Sequence, residues 1–427
     1  MPDSNTIIEP LVHQGLDKYA KILKALETDD VKAYFDDALE NQLVINMGPQ
    51  HPATHGVLRL LVSLDGETVV NSIADLGYLH RGYEKLAENM TFHEFIPHTD
   101  RLDYLSPLAN NVCYAMAVEK ILKMDVPIRT KYIRTICCEL ARLASHLVWL
   151  GCMAMDVGAL TVFLWTFRDR EKILDILDIL TGVRFTTTYT RIGGVALDIS
   201  DEVIARIKKF LGDFEQNLKE SQDLIERNRI FINRCEGVGY ISKEQAIAIG
   251  LTGPNLRAAG VKRDLRRDNP YLIYDQLDFE VPVLYESDVL ARYYVRIYEM
   301  YESAKILRQC LDKLPAGPFN SPDAKQVLPE KGTIYTKMEE LIHDFMIVNF
   351  GNEPEAGAES YQAIESAKGE LGFYIISNGN GYPFRLKIRS PSFSNLQALS
   401  IMIKGAMISD IVAIIGSLDP VMGEADK

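Results

Sequence analysis

Residues 46–67 read NMGPQHPATHGVLRLLVSLDGE, and the architecture is read outward from them. The run LVINMG (43–48) and the longer run VLRLLVSLDGETVVNSIADL (57–76) are rich in β-branched and apolar residues. The second run is broken at Asp65-Gly66, and Asp-Gly between two such runs predicts a β-hairpin. Between the first strand and the hairpin lies GPQHPATHG (48–56), whose Gly and Pro residues fit a tight excursion rather than a helix. The far end of the chain returns to β: residues 361–390, YQAIESAKGELGFYIISNGNGYPFRLKIRS, contain two strand-like runs around NGNG (378–381).

Between these ends the periodicity is helical. Apolar residues recur at helical spacing over 107–123, 128–150, 152–180 and 201–228, with a further helix pair at 286–313 and 335–350. The class expected is α+β, a helical bundle carrying antiparallel strands from the N- and C-terminal regions. Residues 1–40 read as an N-terminal helical extension, with Leu16, Tyr19, Ile22, Leu23 and Leu26 on one helical face. The remainder, 41–427, reads as one domain, mainly β over 41–75 and 359–390 and mainly helical over 104–350. Prolines 315, 318, 322 and 329 mark a long loop inside it, and no 20–50-residue repeat is visible.

Composition narrows the function. The 427 residues are 47% apolar and 25% charged, an ordinary globular mix. With 46 Lys and Arg against 59 Asp and Glu, the net charge of −13 argues against nucleic acid as the partner. The six cysteines (Cys113, Cys137, Cys138, Cys152, Cys235 and Cys310) form no C-x-x-C pair, so no iron–sulfur or structural zinc site is expected in this chain. Such sparse cysteine suits a reducing compartment. The first residues lack a basic stretch followed by an apolar one, so no secretory signal is expected. Residues 147–167, LVWLGCMAMDVGALTVFLWTF, are long and apolar enough to raise the question of a membrane span, with Asp156 as their single charge. A core helix is the better reading, and a buried Asp156 then needs a His, Arg or hydroxyl partner.

Three clusters hold chemistry-bearing side chains. His51 and His55 stand four apart, as in the zinc motif H-E-x-x-H, but Pro52 occupies the place of the catalytic Glu. The two histidines read equally as surface groups or as groups that reach a cavity from their loop. PHTDRLDYLSPL (97–108) gathers His98, Asp100, Arg101, Asp103 and Tyr104 ahead of a helix, which Asp100 or Asp103 would cap. Tyr104 offers a neutral phenolic donor to a carbonyl or quinone oxygen. LGYLHRGYEKLAE (76–88) places His80, Arg81, Glu84 and Lys85 for ion pairing at a helix start. No phosphate loop, nucleophile elbow or kinase motif is present, and RIGGV (191–195) is not a dinucleotide fingerprint.

A set of segments spread over nearly the whole chain resembles the quinone-site D, or 49-kDa, subunit of respiratory complex I, the proton-pumping NADH:quinone oxidoreductase. They are residues 46–67, LGYLHRGYEKLAEN (76–89), DRLDYLSPL (100–108), RLASHLVWLGCMAMDVGA (142–159), RIGGV (191–195), LTGPNLRAAGV (251–261), AKGELGFYIIS (367–377) and IVAIIGSLDPVMGEAD (411–426). That family is similar to the large subunit of [NiFe] hydrogenases, so a hydrogenase-large-subunit-like fold is implied. At the four positions where those enzymes place metal-binding cysteines, this chain has Asp103, Ser106, Val421 and Glu424. With the soft ligands gone, a nickel–iron centre is implausible and a metal-free cavity is implied.

The resemblance implies roles. His55 and Tyr104 match the pair that hydrogen-bonds the quinone headgroup, and Asp156 matches the carboxylate that pairs with His55. Quinone reduction takes two electrons and two protons, and the reduced oxygens need donors. Arg81 matches an arginine near the terminal [4Fe–4S] cluster, which belongs to the adjacent B subunit. Cys152 lies beside the headgroup, where a small Thr is often found. The quinone, ubiquinone or menaquinone, is substrate, and no cofactor is held by this chain alone. The B, C and I subunits of complex I and its membrane-embedded H subunit are the implied partners. The chain would then be peripheral, on the cytoplasmic face of the cell membrane.

The chain departs from the family in two further places. Thr186, two residues after Arg184, stands where many members carry a His that couples proton uptake to the cluster. Val162 replaces a usual Pro. A weaker pH dependence of the cluster, and a low-potential quinone such as menaquinone, are expected from Thr186. Three rivals remain at this point: an active hydrogenase, a relative of the complex fed by ferredoxin or a deazaflavin, and a scaffold with a vestigial pocket.

Overall fold

The hairpin written into residues 57–76 organises the N-terminal sheet. The structure, a computed structural model, describes residues 42–323 and 326–427. The helical extension expected over 1–40 lies outside the described residues. Strand β1 (Leu43–Met47) pairs antiparallel with β2 (Arg59–Asp65), and β2 with β3 (Thr68–Asp75). Asp65 faces Thr68 across the turn, and Gly66 takes the positive φ of 61° that so short a loop requires. Every β2 residue but Asp65 is buried, so this strand is the sheet's central member.

The helical body is built on α2. Helix α1 (Pro107–Leu122) is followed by α2 (Ile128–Asp156), α3 (Leu160–Thr181), α4 (Asp201–Glu226) and α5 (Val289–Asp312). Helix α2 packs against α3 on one side and α5 on another, and α3 packs against α4. Among the described residues, α2 is the one helix long and apolar enough to cross a membrane, and 89% of its most apolar window is buried inside the protein. The sequence pattern predicts that this helix ends at residue 150. Instead it runs on to Asp156, because Gly151 is a packing glycine rather than a breaker. A Cβ there would lie 2.5 Å from Thr166 Oγ1 and 3.3 Å from Phe163 Cα, so its absence lets α3 approach. The break falls at Val157–Ala159, where Gly158 takes a φ of 94°. Neither Asp100 nor Asp103 caps α1. Ser106 holds the N-cap position, Asp103 accepts from Leu105 N at 3.1 Å, and Asp100 accepts from Thr188 N at 3.0 Å.

Two short strands (β4, Thr190–Arg191; β5, Gly194–Val195) lie between α3 and α4, and the C-terminal region adds helix α6 (Met338–Phe350) and a second three-stranded sheet. The tail makes three strands, not the two read from sequence. The first run is split at residues 366–369 into β6 (Glu359–Glu365) and β7 (Glu370–Ser377), and β8 (Pro383–Arg389) follows NGNG. Helix α1 lies on β6 and β7. The last helices, α7 (Ile408–Leu418) and α8 (Met422–Ala425), return to the N-terminal sheet. Val69 N donates to Ala406 O at 2.9 Å and Gly405 N to Val69 O at 2.8 Å, which ties the start of α7 to β3. Helix α7 then packs on α2, α5 and the turn at Pro52–Thr54, so both chain ends meet at the C-terminal end of α2.

Candidate functional site

The loop between β1 and β2 is folded by its own side chains. Gly48 has a φ of 91°, and a Cβ there would lie 2.1 Å from Leu58 O, so only glycine lets the loop close on β2. His51 Nδ1 accepts from Ala53 N at 3.2 Å, capping the single 3₁₀ turn Pro52–Thr54. His51 is exposed and serves its own turn. The turn ends on His55, which takes a left-handed conformation (φ 49°, ψ 60°) uncommon outside glycine. This conformation sends the His55 ring to the end of α2, where its Nε2 lies 2.7 Å from Asp156 Oδ2. The side chains are 17% and 10% exposed, so the contact is shielded without being sealed off. Helix α7 closes one flank with Gly416: a Cβ there would lie 3.3 Å from Asp156 Oδ2 and 3.5 Å from His55 Nε2. Trp149 Nε1 donates to Gly416 O at 2.7 Å and holds that glycine in place.

Cys152 lies one turn before Asp156 on α2 and is half-buried. Burial, then the charges of Asp156 and Asp419, push its thiol up to about 11, so it stays protonated. Tyr104 lies on the turn before α1, half-buried, with its ring centroid 6.4 Å from that of Phe185. Burial, then the charges of Asp103 and Asp419, raise its hydroxyl above the usual phenol value, so it too remains a donor. Asp419, the residue after α7, acts on both Cys152 and Tyr104 and so links the two sides of the site. Arg81 is exposed. Its Nη2 donates to Arg101 O at 2.7 Å, its guanidinium lies 4.5 Å from the Tyr83 ring centroid, and its charge reaches Tyr104. Glu84 pairs not along its own helix but with Lys387 on β8, at 3.0 Å.

Lys368 carries no mark in the sequence that would single it out. It lies on the β6–β7 turn, is 1% exposed, donates to Ser145 Oγ at 2.9 Å and pairs with Asp419. Two glycines bring it there: a Cβ on Gly253 would lie 2.5 Å from Gly369 Cα, so the LTGPN loop and the AKGE turn touch backbone to backbone. The four positions matched to hydrogenase cysteines also converge. Asp103, Ser106, Val421 and Glu424 are all buried along the seam between the 100–106 turn and α8. Among the described residues, no group of three or more His, Cys, Asp or Glu is placed to hold a metal ion.

Large apolar side chains are exposed around the α2–α3 break and beside the Tyr104 ring: Met155, Leu160, Leu164 and Phe185 are 42%, 57%, 60% and 47% exposed. Two clefts of about 430 and 290 Å³ lie elsewhere. One lines α4 from Glu220 to Asn228 with Trp165, the other adjoins Asp125 and Pro318, and neither includes His55, Tyr104, Cys152 or Asp156.

Comparison with known proteins agrees with the resemblance read from sequence. The family described as respiratory-chain NADH dehydrogenase, 49 Kd subunit, matches residues 156–427. The D 1 subunit of NADH-quinone oxidoreductase from Chloroherpeton thalassium is 59% identical over 409 residues, covering 95% of this chain and 93% of the relative. The D subunit of the same enzyme from Salinibacter ruber is 54% identical over 391 residues, covering 92% and 87%. That from Geotalea uraniireducens is 51% identical over 385 residues, covering 90% and 98%. The chain belongs to the family of the 49-kDa subunit.

Proposed function

We propose that this 49-kDa-family chain is the quinone-site subunit of a proton-pumping NADH:quinone oxidoreductase. The observation that carries the reading is the His55 Nε2–Asp156 Oδ2 contact of 2.7 Å at the end of α2. Cys152, which feels the Asp156 charge, and Tyr104, which shares the Asp419 charge with Cys152, hold their protons, and only Tyr104 O–H is a strong donor. His55 and Tyr104 each serve one headgroup oxygen, and Cys152 lines the wall. The exposed apolar side chains around the α2–α3 break and beside the Tyr104 ring fit a headgroup chamber that is completed by another subunit.

Two electrons from the partner subunit's iron–sulfur cluster reduce the quinone. His55 and Tyr104 give one proton each to its two oxygens, which stabilises the charge that develops there. When His55 gives up its proton, the Asp156 carboxylate, 10% exposed, loses the hydrogen-bond partner beside it. That imbalance starts the charge rearrangement coupled to proton translocation. A His55→Ala complex with rapid quinone reduction and unchanged proton pumping would refute this step. Arg81 faces the cluster of the B subunit, and its charge favours reduction there. The B, C, I and H subunits surround the chain, which lies peripherally on the cytoplasmic face of the membrane. With Thr186 in place of a titratable side chain, the cluster's potential changes little with pH; a steep slope in a potentiometric titration would contradict this.

The test is Tyr104→Phe in the assembled membrane complex, which removes one hydroxyl and little volume. NADH:quinone activity falls on the order of 10²-fold, while NADH:ferricyanide activity, which bypasses the quinone, persists. Unchanged quinone activity would remove Tyr104 from the headgroup.

A further inference from the structure

A Tyr104 that gives up its proton once per turnover needs a group that restores it. Two buried carboxyls beside it answer to that task. A Cβ on Gly423 would lie 2.6 Å from Leu102 O and 3.0 Å from Arg101 O, so α8 meets the 100–106 turn with no side chain between them. This contact brings Glu424 beside Asp103, and both are 0% exposed. One oxygen of each carboxyl is engaged. Glu424 Oε1 accepts from Ser392 N at 3.0 Å and from the Ser392 hydroxyl, and Asp103 Oδ1 accepts from Leu105 N at 3.1 Å. The other two, Glu424 Oε2 and Asp103 Oδ2, are buried and have no hydrogen-bond partner, and neither has the neighbouring Ser106 Oγ. A buried carboxylate oxygen with no donor is costly, and a proton on either of these two interacting carboxyls lowers that cost.

The surrounding charges point the same way. Lys368 is the cation that acts on both carboxyls, and it is already paired with Asp419. Lys427 also acts on Glu424 and Arg296 on Asp419, yet three ionised carboxyls would still crowd one buried ammonium, and one proton relieves that repulsion. Tyr104 and Lys427 are the other titratable groups whose charges interact with Glu424. Arg81 Nη2 approaches the same turn, 3.2 Å from where a Gly423 Cβ would be. Burial, then the Asp103 charge, push the Glu424 carboxyl up to about 8, and burial raises Asp103 as well.

We propose that Asp103 and Glu424 hold one proton between them and return it to Tyr104 after Tyr104 has protonated the reduced quinone. The proposal rests on the reading of Tyr104 at the headgroup. The Tyr104 O–H bond breaks as the quinol O–H bond forms. A carboxyl O–H then breaks as the Tyr104 O–H re-forms, and the doubly ionised pair beside Lys368 regains one proton from water. The electrons are those of the NADH:quinone reaction itself. The second transfer runs downhill, because the Tyr104 hydroxyl holds its proton more tightly than the Glu424 carboxyl does.

The test measures NADH:quinone activity of the assembled complex against pH, with ferricyanide activity as the control for assembly. The wild type loses quinone activity on the alkaline side with a midpoint at about 8. Glu424→Gln keeps the shape but not the proton. It slows quinone reduction at neutral pH by ~10-fold or more and abolishes the alkaline limb, while Glu424→Asp restores both. Difference infrared spectra of the wild type show a protonated carboxyl band that disappears across the same pH range and is missing from Glu424→Gln. A Glu424→Gln complex with wild-type rate and limb, or a wild type with no such band, overturns the proposal. Failure of the Tyr104 reading looks different: Tyr104→Phe then reduces quinone at the wild-type rate.

Discussion

Two buried charged regions adjoin α2 and the β6–β7 turn, and they differ in how their polar atoms are satisfied. In the first, Arg257 pairs with Glu299 at 2.5 Å and Glu365 at 2.8 Å, and Arg266 with Asp264 at 2.8 Å and Glu139 at 3.3 Å. Arg142 adds Glu139 at 3.3 Å and the Ser366 carbonyl at 3.0 Å. None of these seven ionisable side chains leaves a buried nitrogen or oxygen without a partner. In the second, the seam of Asp103, Ser106, Glu424 and Lys368, three polar atoms are orphaned and one ammonium serves three carboxyls. The saturated region fixes the packing of helices, loops and the C-terminal sheet. The unsaturated one borders the candidate site and retains unpaired atoms that can exchange protons. Buried charge alone does not mark function, and neither do orphaned atoms, which Arg134, His146 and Arg296 also carry; the seam adds carboxyls whose charges act on Tyr104.

The strongest way to break this contrast is to unpair the saturated region. Arg257→Met strands Glu299, Glu365 and Asp264, and is expected to cost ~3–5 kcal/mol. The chain should then be lost from the complex on native gels. Normal assembly would show that the network is ornamental. A smaller effect is expected from Gly151→Ala, whose methyl would meet Thr166 Oγ1 at 2.5 Å. Forcing α3 away should cost ~1–3 kcal/mol, lowering the thermal midpoint of the complex, and the simultaneous change Thr166→Ala should recover much of it.

The gentlest test uses pH, because Asp264 in the first region and Glu424 in the second respond with opposite sign. Asp264, held at about 2 by burial opposed by Arg266 and Arg257, binds fewer protons folded than unfolded. Its contribution is present above the ordinary 3.8 and is lost as pH falls through that value towards about 2. Glu424, raised to about 8, binds more protons folded than unfolded between the ordinary 4.5 and about 8. Its contribution is fully present below that window and is lost as pH rises through it. Thermal midpoints of the complex should therefore drop at both ends, and Glu424→Gln should flatten only the alkaline drop. Loss of the acid drop in that variant would mean that the two regions are not separate.

The same contrast explains what could be read from the chain. The hairpin at Asp65-Gly66 and the long helices follow from local patterns, and both are present. Gly151 misleads because a glycine that permits close packing looks, in sequence, like one that ends a helix. The split of β6 from β7 at residues 366–369 escapes the pattern because the turn interrupts an otherwise continuous strand-like run. Asp156 is legible as a carboxylate in need of a partner, since it is the single charge in 147–167, and its neighbour proves to be His55. Lys368 gives no such signal. Its burial arises from a glycine-to-glycine contact between segments more than 100 residues apart, and no local pattern records that. Asp103 stands out in the sequence as a helix-cap candidate and, like Glu424, as a replacement for cysteine; their juxtaposition is a property of the folded chain.

The central claim, that the headgroup binds at the end of α2 between His55 and Tyr104, is tested most directly by photolabelling. A quinone carrying a photoreactive group on its ring would be irradiated in the assembled complex, and the labelled peptides mapped. Labels are expected on this chain within residues 52–56, 101–106, 152–160 or 183–186, competed away by unlabelled quinone. Competable labels confined to the α4 cleft around Trp165 and Asn228, or to other subunits alone, would contradict it.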